Sequence, residues 1–125
     1  MAIIYKDESY KITGAMFEGY KEKGPGFYES VYHECLGLEF NLQAIPCTTK
    51  EKLKLSYKSI PLTQHFEPDF ICYGKIILEI KALAQITNEH RAQVHNYLKA
   101  TGIKLGLLAN FGCTTELEYE RIVRT

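Results

Sequence analysis

Pro68-Asp69 and Glu79-Ile80-Lys81 lie in the string PDFICYGKIILEIK, where two short apolar runs flank a Tyr73-Gly74-Lys75 turn. Side chains on a strand alternate faces, so Glu79 and Lys81 point the same way, about 7 Å apart. A tight hairpin brings Asp69 on the first strand alongside them. Two carboxylates and an ammonium on one face of a buried hairpin are costly unless they pair, bind a cation or do chemistry. A hard divalent cation such as Mg²⁺ takes carboxylate oxygens, and a lysine beside it can orient or deprotonate a water. An alternating E-x-K also suits a solvated strand face. Here Ile71, Cys72, Ile76, Ile77, Leu78 and Ile80 make both runs read as buried.

Two further constellations bear on the same chemistry. Gln93 and Tyr97 are four apart in a segment that reads as a helix, with Thr87 as N-cap, Glu89 in the first turn and Thr101-Gly102 as its stop. They therefore share a face. His90, three residues before Gln93, lies on that face too, either near the site or exposed in the first turn. Upstream, Gly24-Pro25-Gly26 breaks the chain before a helical pattern over Tyr28–Gln43, in which Val31, Cys35, Leu38 and Leu42 recur at helical spacing. Glu29 falls in its first turn, where a carboxylate suits the helix dipole.

The arrangement P-D…E-x-K, followed by Q-x-x-x-Y, resembles the PD-(D/E)XK nuclease superfamily. The wording GPGFYESVYHECL, IILEIKAL and HRAQVHNYLKATGIKLGLLANFG resembles one small family within it. These are short bacterial proteins named from a G-x-x-E motif, the GxxExxxY proteins. Tyr32 follows Glu29 by three residues rather than four, so no role is assigned to it. The resemblance implies a restriction-endonuclease-like α/β fold with an α-β-β-β-α-β core, its mixed central sheet flanked by helices. It implies a metal-dependent nuclease, with Asp69, Glu79 and the Ile80 carbonyl holding Mg²⁺ or Mn²⁺ and Glu29 completing the shell. Lys81 would position the attacking water or steady charge on phosphate, Gln93 would orient Lys81 or the phosphate, and Tyr97 would support it.

These residues must be positioned by a chain of 125 residues, a common length for one domain with its own core. Residues 1–125 read as a single nuclease-like domain. The elements expected are an extra N-terminal helix at about 8–23, with Ile12, Ala15, Met16 and Tyr20 as its stripe, then the Tyr28–Gln43 helix. Strands follow at Cys47–Tyr57, Leu62–Cys72 and Lys75–Lys81, then a helix Asn88–Ala100, a strand Lys104–Asn110 and a short strand at Tyr119–Val123. Hydrophobic residues make up 46% and charged residues 24%, ordinary for a soluble chain. No apolar run is long enough to span a bilayer, and MAIIYKDESY turns charged too early for a signal peptide. A cytoplasmic protein with no membrane partner is expected. Cys35, Cys47, Cys72 and Cys113 form no C-x-x-C pair, and three of them read as small buried side chains in a reducing compartment.

Fifteen basic and fifteen acidic residues cancel, although phosphate neutralisation drives nucleic-acid binding. Lys50, Lys52 and Lys54 alternate and would line one face of a strand, with Lys58 beyond the turn. The partner expected is nucleic acid, bound weakly or as single strands or ends. Two other classes of function are weighed. One is a non-catalytic nucleic-acid- or protein-binding module, with the polar cluster kept as a core network. The other is a small dimerising module, a homodimer built on exposed tyrosines.

Overall fold

The computed structural model describes residues 3–124. Helices α1 (Lys6–Lys23) and α2 (Glu29–Leu42) come first. Strands β1 (Cys47–Thr49), β2 (Leu53–Tyr57), β3 (Ile60–Phe66), β4 (Phe70–Cys72) and β5 (Ile76–Lys81) follow, then α3 (Asn88–Thr101), β6 (Leu105–Asn110) and β7 (Glu118–Val123). Five strands form one mixed sheet in the order β1-β4-β5-β6-β7, while β2 and β3 make a separate two-stranded ribbon. Among the described strands only the β5–β6 pair is parallel, and α3 connects it. The core order α2-β1-β4-β5-α3-β6 is the α-β-β-β-α-β arrangement expected.

The sheet is sandwiched because β5 and β6 are apolar on both faces. Ile76, Leu78 and Ile80 pack with Leu105, Leu107 and residues of α1 and α2, whereas Ile77 and Leu108 pack with Val94 and Leu98 of α3. Helix α3 lies so close to β6 that a Cβ on Gly106 would fall 2.5 Å from a Val94 methyl carbon. The Tyr73-Gly74 turn is tight, both residues having positive φ, and Lys75 N–H donates to the Cys72 carbonyl. No helix among the described residues is long and apolar enough to cross a membrane.

Two expectations are corrected. The stretches Cys47–Tyr57 and Leu62–Cys72 are not unbroken strands. Thr49 faces Phe70 and Leu53 faces Phe66, one register on both sides of the bend, but the ladder is bent at 50–52 and 67–69 and shifts register again within the arm between Lys54 and Ser56. Lys50 has a left-handed φ of 48°, and Pro68 has no N–H to donate. The inner half stays in the sheet as β1 and β4; the outer half leaves it as the β2–β3 arm. With 50–52 outside any strand, the expected row Lys50, Lys52, Lys54 does not form.

The buried stripe of α2 is also not the expected one. Tyr32, Leu36 and Phe40 are buried, while Leu38 and Leu42 are exposed and Val31 and Cys35 half-buried. Both sets have helical spacing, and the aromatic set wins through its partners. Tyr32 stacks on Phe111 at 4.9 Å, and Phe40 meets Phe70 edge-on at 5.1 Å. Tyr32 also donates its hydroxyl to the Gly24 carbonyl at 2.5 Å and accepts from Phe27 N–H, which fixes the Gly24–Gly26 break.

Candidate active site

The site forms where the β4–β5 ladder opens. The last backbone pairing is Phe70 with Leu78, and beyond it side chains replace the ladder. Asp69 N–H donates to Glu79 Oε1 at 2.8 Å, and Ile80 N–H donates to Asp69 Oδ2 at 2.9 Å. Each carboxylate thus holds the other's strand. Asp69 is 8% and Glu79 4% exposed. Both lie on the α3 face, since the alternation that places Ile77 against Val94 also places Glu79 and Lys81 there.

Two anions about 4 Å apart repel by about 4 kcal/mol at an effective dielectric of 20. Burial first, and then the Asp69 charge, push the Glu79 carboxyl up to about 8, against the pull of Asp69 N–H and of Lys81. The pair therefore lacks enough positive charge to ionise fully near neutral pH. Lys81 supplies part of it. Its Nζ donates to Gln93 Oε1 at 3.1 Å, and Gln93 Nε2 donates to the Tyr97 hydroxyl at 3.0 Å. Helix α3 therefore steers the lysine through one turn of its own surface. Tyr97 is stacked on Phe66 at 4.6 Å, and burial, then the nearby Glu79, raise its hydroxyl above the usual range.

Glu29 reaches the site from the other layer, at the first position of α2. It stays exposed at the rim. Its carboxyl is raised by partial burial and by Asp69, and is pulled back by Lys81, Lys50 and His33. Among the described residues, no three His, Cys, Asp or Glu groups stand together as a formed metal cage. The donor set is nonetheless suited to a hard cation: two buried, under-neutralised carboxylates with a third at the rim. Ile80 meets the site through its N–H, while its side chain is buried in the core beneath.

A family model described as the PD-(D/E)XK nuclease superfamily matches residues 6–122. The chain belongs to that superfamily. Among solved structures it is similar to the protein in "Crystal structure of SSO0001", with a TM-score of 0.57 and 19% identity over 76% of this chain and 50% of that one. The likeness is one of fold, and the chain spans about half the length of that protein. No curated protein matches it.

This superfamily member also carries neighbours that spacing alone did not single out. His33 stacks on Phe70 at 4.4 Å and donates Nε2–H to the Asp69 carbonyl at 3.2 Å, with Asp69 Oδ1 4.0 Å away. Its signal was its place four residues after Glu29 on one helix face. Asn110, fully buried and opposite Lys81 in the ladder, clamps the chain that leaves β5. Its Oδ1 accepts from Leu83 N–H at 2.8 Å and Gly112 N–H at 3.1 Å, and its Nδ2 donates to the Leu83 carbonyl at 2.9 Å and to Glu118. An asparagine closing an otherwise apolar strand was the clue. His90, by contrast, is used locally: its Nδ1 accepts from Thr87 N–H at 3.1 Å and fixes the start of α3.

Proposed function

We propose that the chain is a metal-dependent nuclease that hydrolyses phosphodiester bonds in DNA or RNA. The observation that carries this reading is the buried Asp69–Glu79 pair with Lys81 held beside it by Gln93. Asp69, Glu79 and the Ile80 carbonyl would hold Mg²⁺ or Mn²⁺, with Glu29 joining directly or through water. A bound ion supplies Lewis-acid polarisation of the phosphoryl oxygen and an acidified water.

The remaining work falls to the protein. Lys81 Nζ keeps N–H groups free beyond its bond to Gln93, and these orient the attacking water or meet charge developing on phosphate. Gln93 fixes where that ammonium sits, and Tyr97 fixes Gln93. His33 braces the backbone of Asp69 from beneath, so the carboxylate does not swing as charge changes. The setting is a single cytoplasmic domain whose thiols are reduced.

A second reading has its own support. The described polar side chains buried here all have hydrogen-bond partners, as in a self-contained network of a binding module. Metal-dependent cleavage of a panel of single- and double-stranded DNA and RNA, with Lys81→Ala as control, separates the two. Cleavage that needs Mg²⁺ or Mn²⁺ and fails in the variant is expected; no cleavage of any substrate by protein that binds Mn²⁺ supports the binding module.

A further inference from the structure

The β2–β3 arm is a built feature that the carboxylate chemistry leaves unused. It is anchored at its base. Leu53 packs in the cluster of Ile71, Val94 and Leu98, and Phe66 stacks on Tyr97, on the helix that carries Gln93. The pairs Leu53–Phe66 and Tyr57–Ile60 share one face by strand alternation, and Lys54–His65 takes the other. The first face is therefore core at its root and bare at its tip. Tyr57 is 62%, Ile60 63% and Leu62 43% exposed. A two-stranded ribbon alone is marginal in water, and one that also bares apolar side chains is built to be covered.

Charge identifies the cover. Residues 52–66 contain Lys52, Lys54 and Lys58 and no Asp or Glu, while α2 contains Glu29, Glu34 and Glu39 and no Lys or Arg. The zero net charge is thus the sum of opposed regions, and the arm is cationic beyond Glu51 and Glu67, which flank its root. Lys58 Nζ stands 5.4 Å over the Tyr57 ring, so the tip combines a flat aromatic surface with a cation. A partner with regularly spaced anions and flat apolar faces between them fits such a surface. Unpaired nucleotides have both.

We propose that the β2–β3 arm holds single-stranded nucleic acid beside the carboxylate site, with Lys52, Lys54 and Lys58 on phosphates and Tyr57 under a base. The proposal deepens the nuclease reading and rests on it for the choice of polyanion, not for turnover. The strand wraps the exposed edge of the arm, with its bases toward the bare face of Tyr57 and Ile60 and its phosphates toward the opposite face that carries Lys54. The bare face leads through Phe66 and Tyr97 to Gln93 and Lys81. His65 is not counted among the phosphate ligands because it is turned to Glu67, 4.0 Å away at the arm's root.

Three lysines neutralising three phosphates give a salt slope of about −2 for a single strand. Affinity should then fall about 20-fold between 50 and 200 mM salt. The test is fluorescence anisotropy of a labelled single-stranded oligonucleotide, and of its duplex, with the full chain in chelator, where no cleavage interferes. Lys54→Glu/Lys58→Glu should abolish measurable binding. Tyr57→Ala should weaken single-strand binding about tenfold with the salt slope unchanged, and affect the duplex less. Lys11→Glu, an exposed change on α1, should have no effect, and melting curves should show each variant folded. Arm variants that bind like the wild type, or a wild type that binds no strand at low salt, overturn the proposal. So does a dimer in sedimentation that Ile60→Glu dissociates, since that assigns the bare face to a second copy. Cleavage, assayed separately with metal, keeps the two readings apart. Arm-dependent binding without cleavage removes the nuclease and leaves the arm; cleavage without arm dependence does the reverse.

Discussion

Glu79 sets the pH response of the metal-free protein. Its carboxyl is raised from an ordinary 4.5 to about 8, so between those values the folded state keeps a proton that the unfolded chain has lost. The stability this confers is fully present below about 4.5 and disappears as pH rises through about 8. The melting temperature in chelator should therefore decline from pH 5 to pH 8.5, and Glu79→Gln should flatten that decline, as followed by differential scanning fluorimetry. The same proton must leave when a cation binds, so calorimetry near pH 7 should register proton release in buffers of different ionisation enthalpy. In the proposed nuclease Lys81 would act on a different quantity. Lys81→Ala should lower turnover about 10²–10³-fold, the usual cost of one well-aimed donor, while the metal-induced rise in melting temperature persists. Gln93→Ala should cost less, because it only positions the ammonium.

The segments that leave the strands matter as much at the scale of elements. Asn110→Ala would strand Leu83 N–H, the Leu83 carbonyl and Gly112 N–H, each at about 1–3 kcal/mol when buried. Urea denaturation should show a loss of at least about 2 kcal/mol, with the m-value unchanged. Much of this architecture was readable from residue patterns. The apolar runs around Tyr73-Gly74 placed β4 against β5 and put Asp69 opposite Glu79, because only one short connection and one register bury both runs. Spacing also brought Gln93 and Tyr97 to one face. What escaped was set by tertiary partners. Nothing local distinguishes the 32-36-40 stripe of α2 from 31-35-38-42 until Phe70 and Phe111 are in place. The bend at Lys50 and Pro68 was hidden because β propensity runs unbroken on either side of it. His33 and Asn110 are polar residues whose meaning lies in the backbone groups they find.

If the carboxylate site holds a cation as proposed, the molecule as a whole should respond to that cation through its native state alone. Mg²⁺ or Mn²⁺ at about 100 times its Kd should add about 2.7 kcal/mol, which for a domain of this size is about 10 °C in melting temperature. Asp69→Ala should remove that shift, and an equal shift in both proteins would place the ion elsewhere. Folding kinetics follow from the register that the root of the arm shares with the β1–β4 pair, inward of the register shift between Lys54 and Ser56. The Lys58-Ser59 turn, both residues at positive φ, closes Tyr57 onto Ile60. That contact is local and forms within microseconds in isolated hairpins. Leu53 then meets Phe66 and Thr49 meets Phe70, each step closing only a short further loop. Once the register shift between Lys54 and Ser56 is crossed, chain closure can zip inward from the root of the arm, so that Asp69 is delivered to its strand partner already in register. A Ser59→Gly change, which relaxes the turn, should then quicken folding more than it slows unfolding.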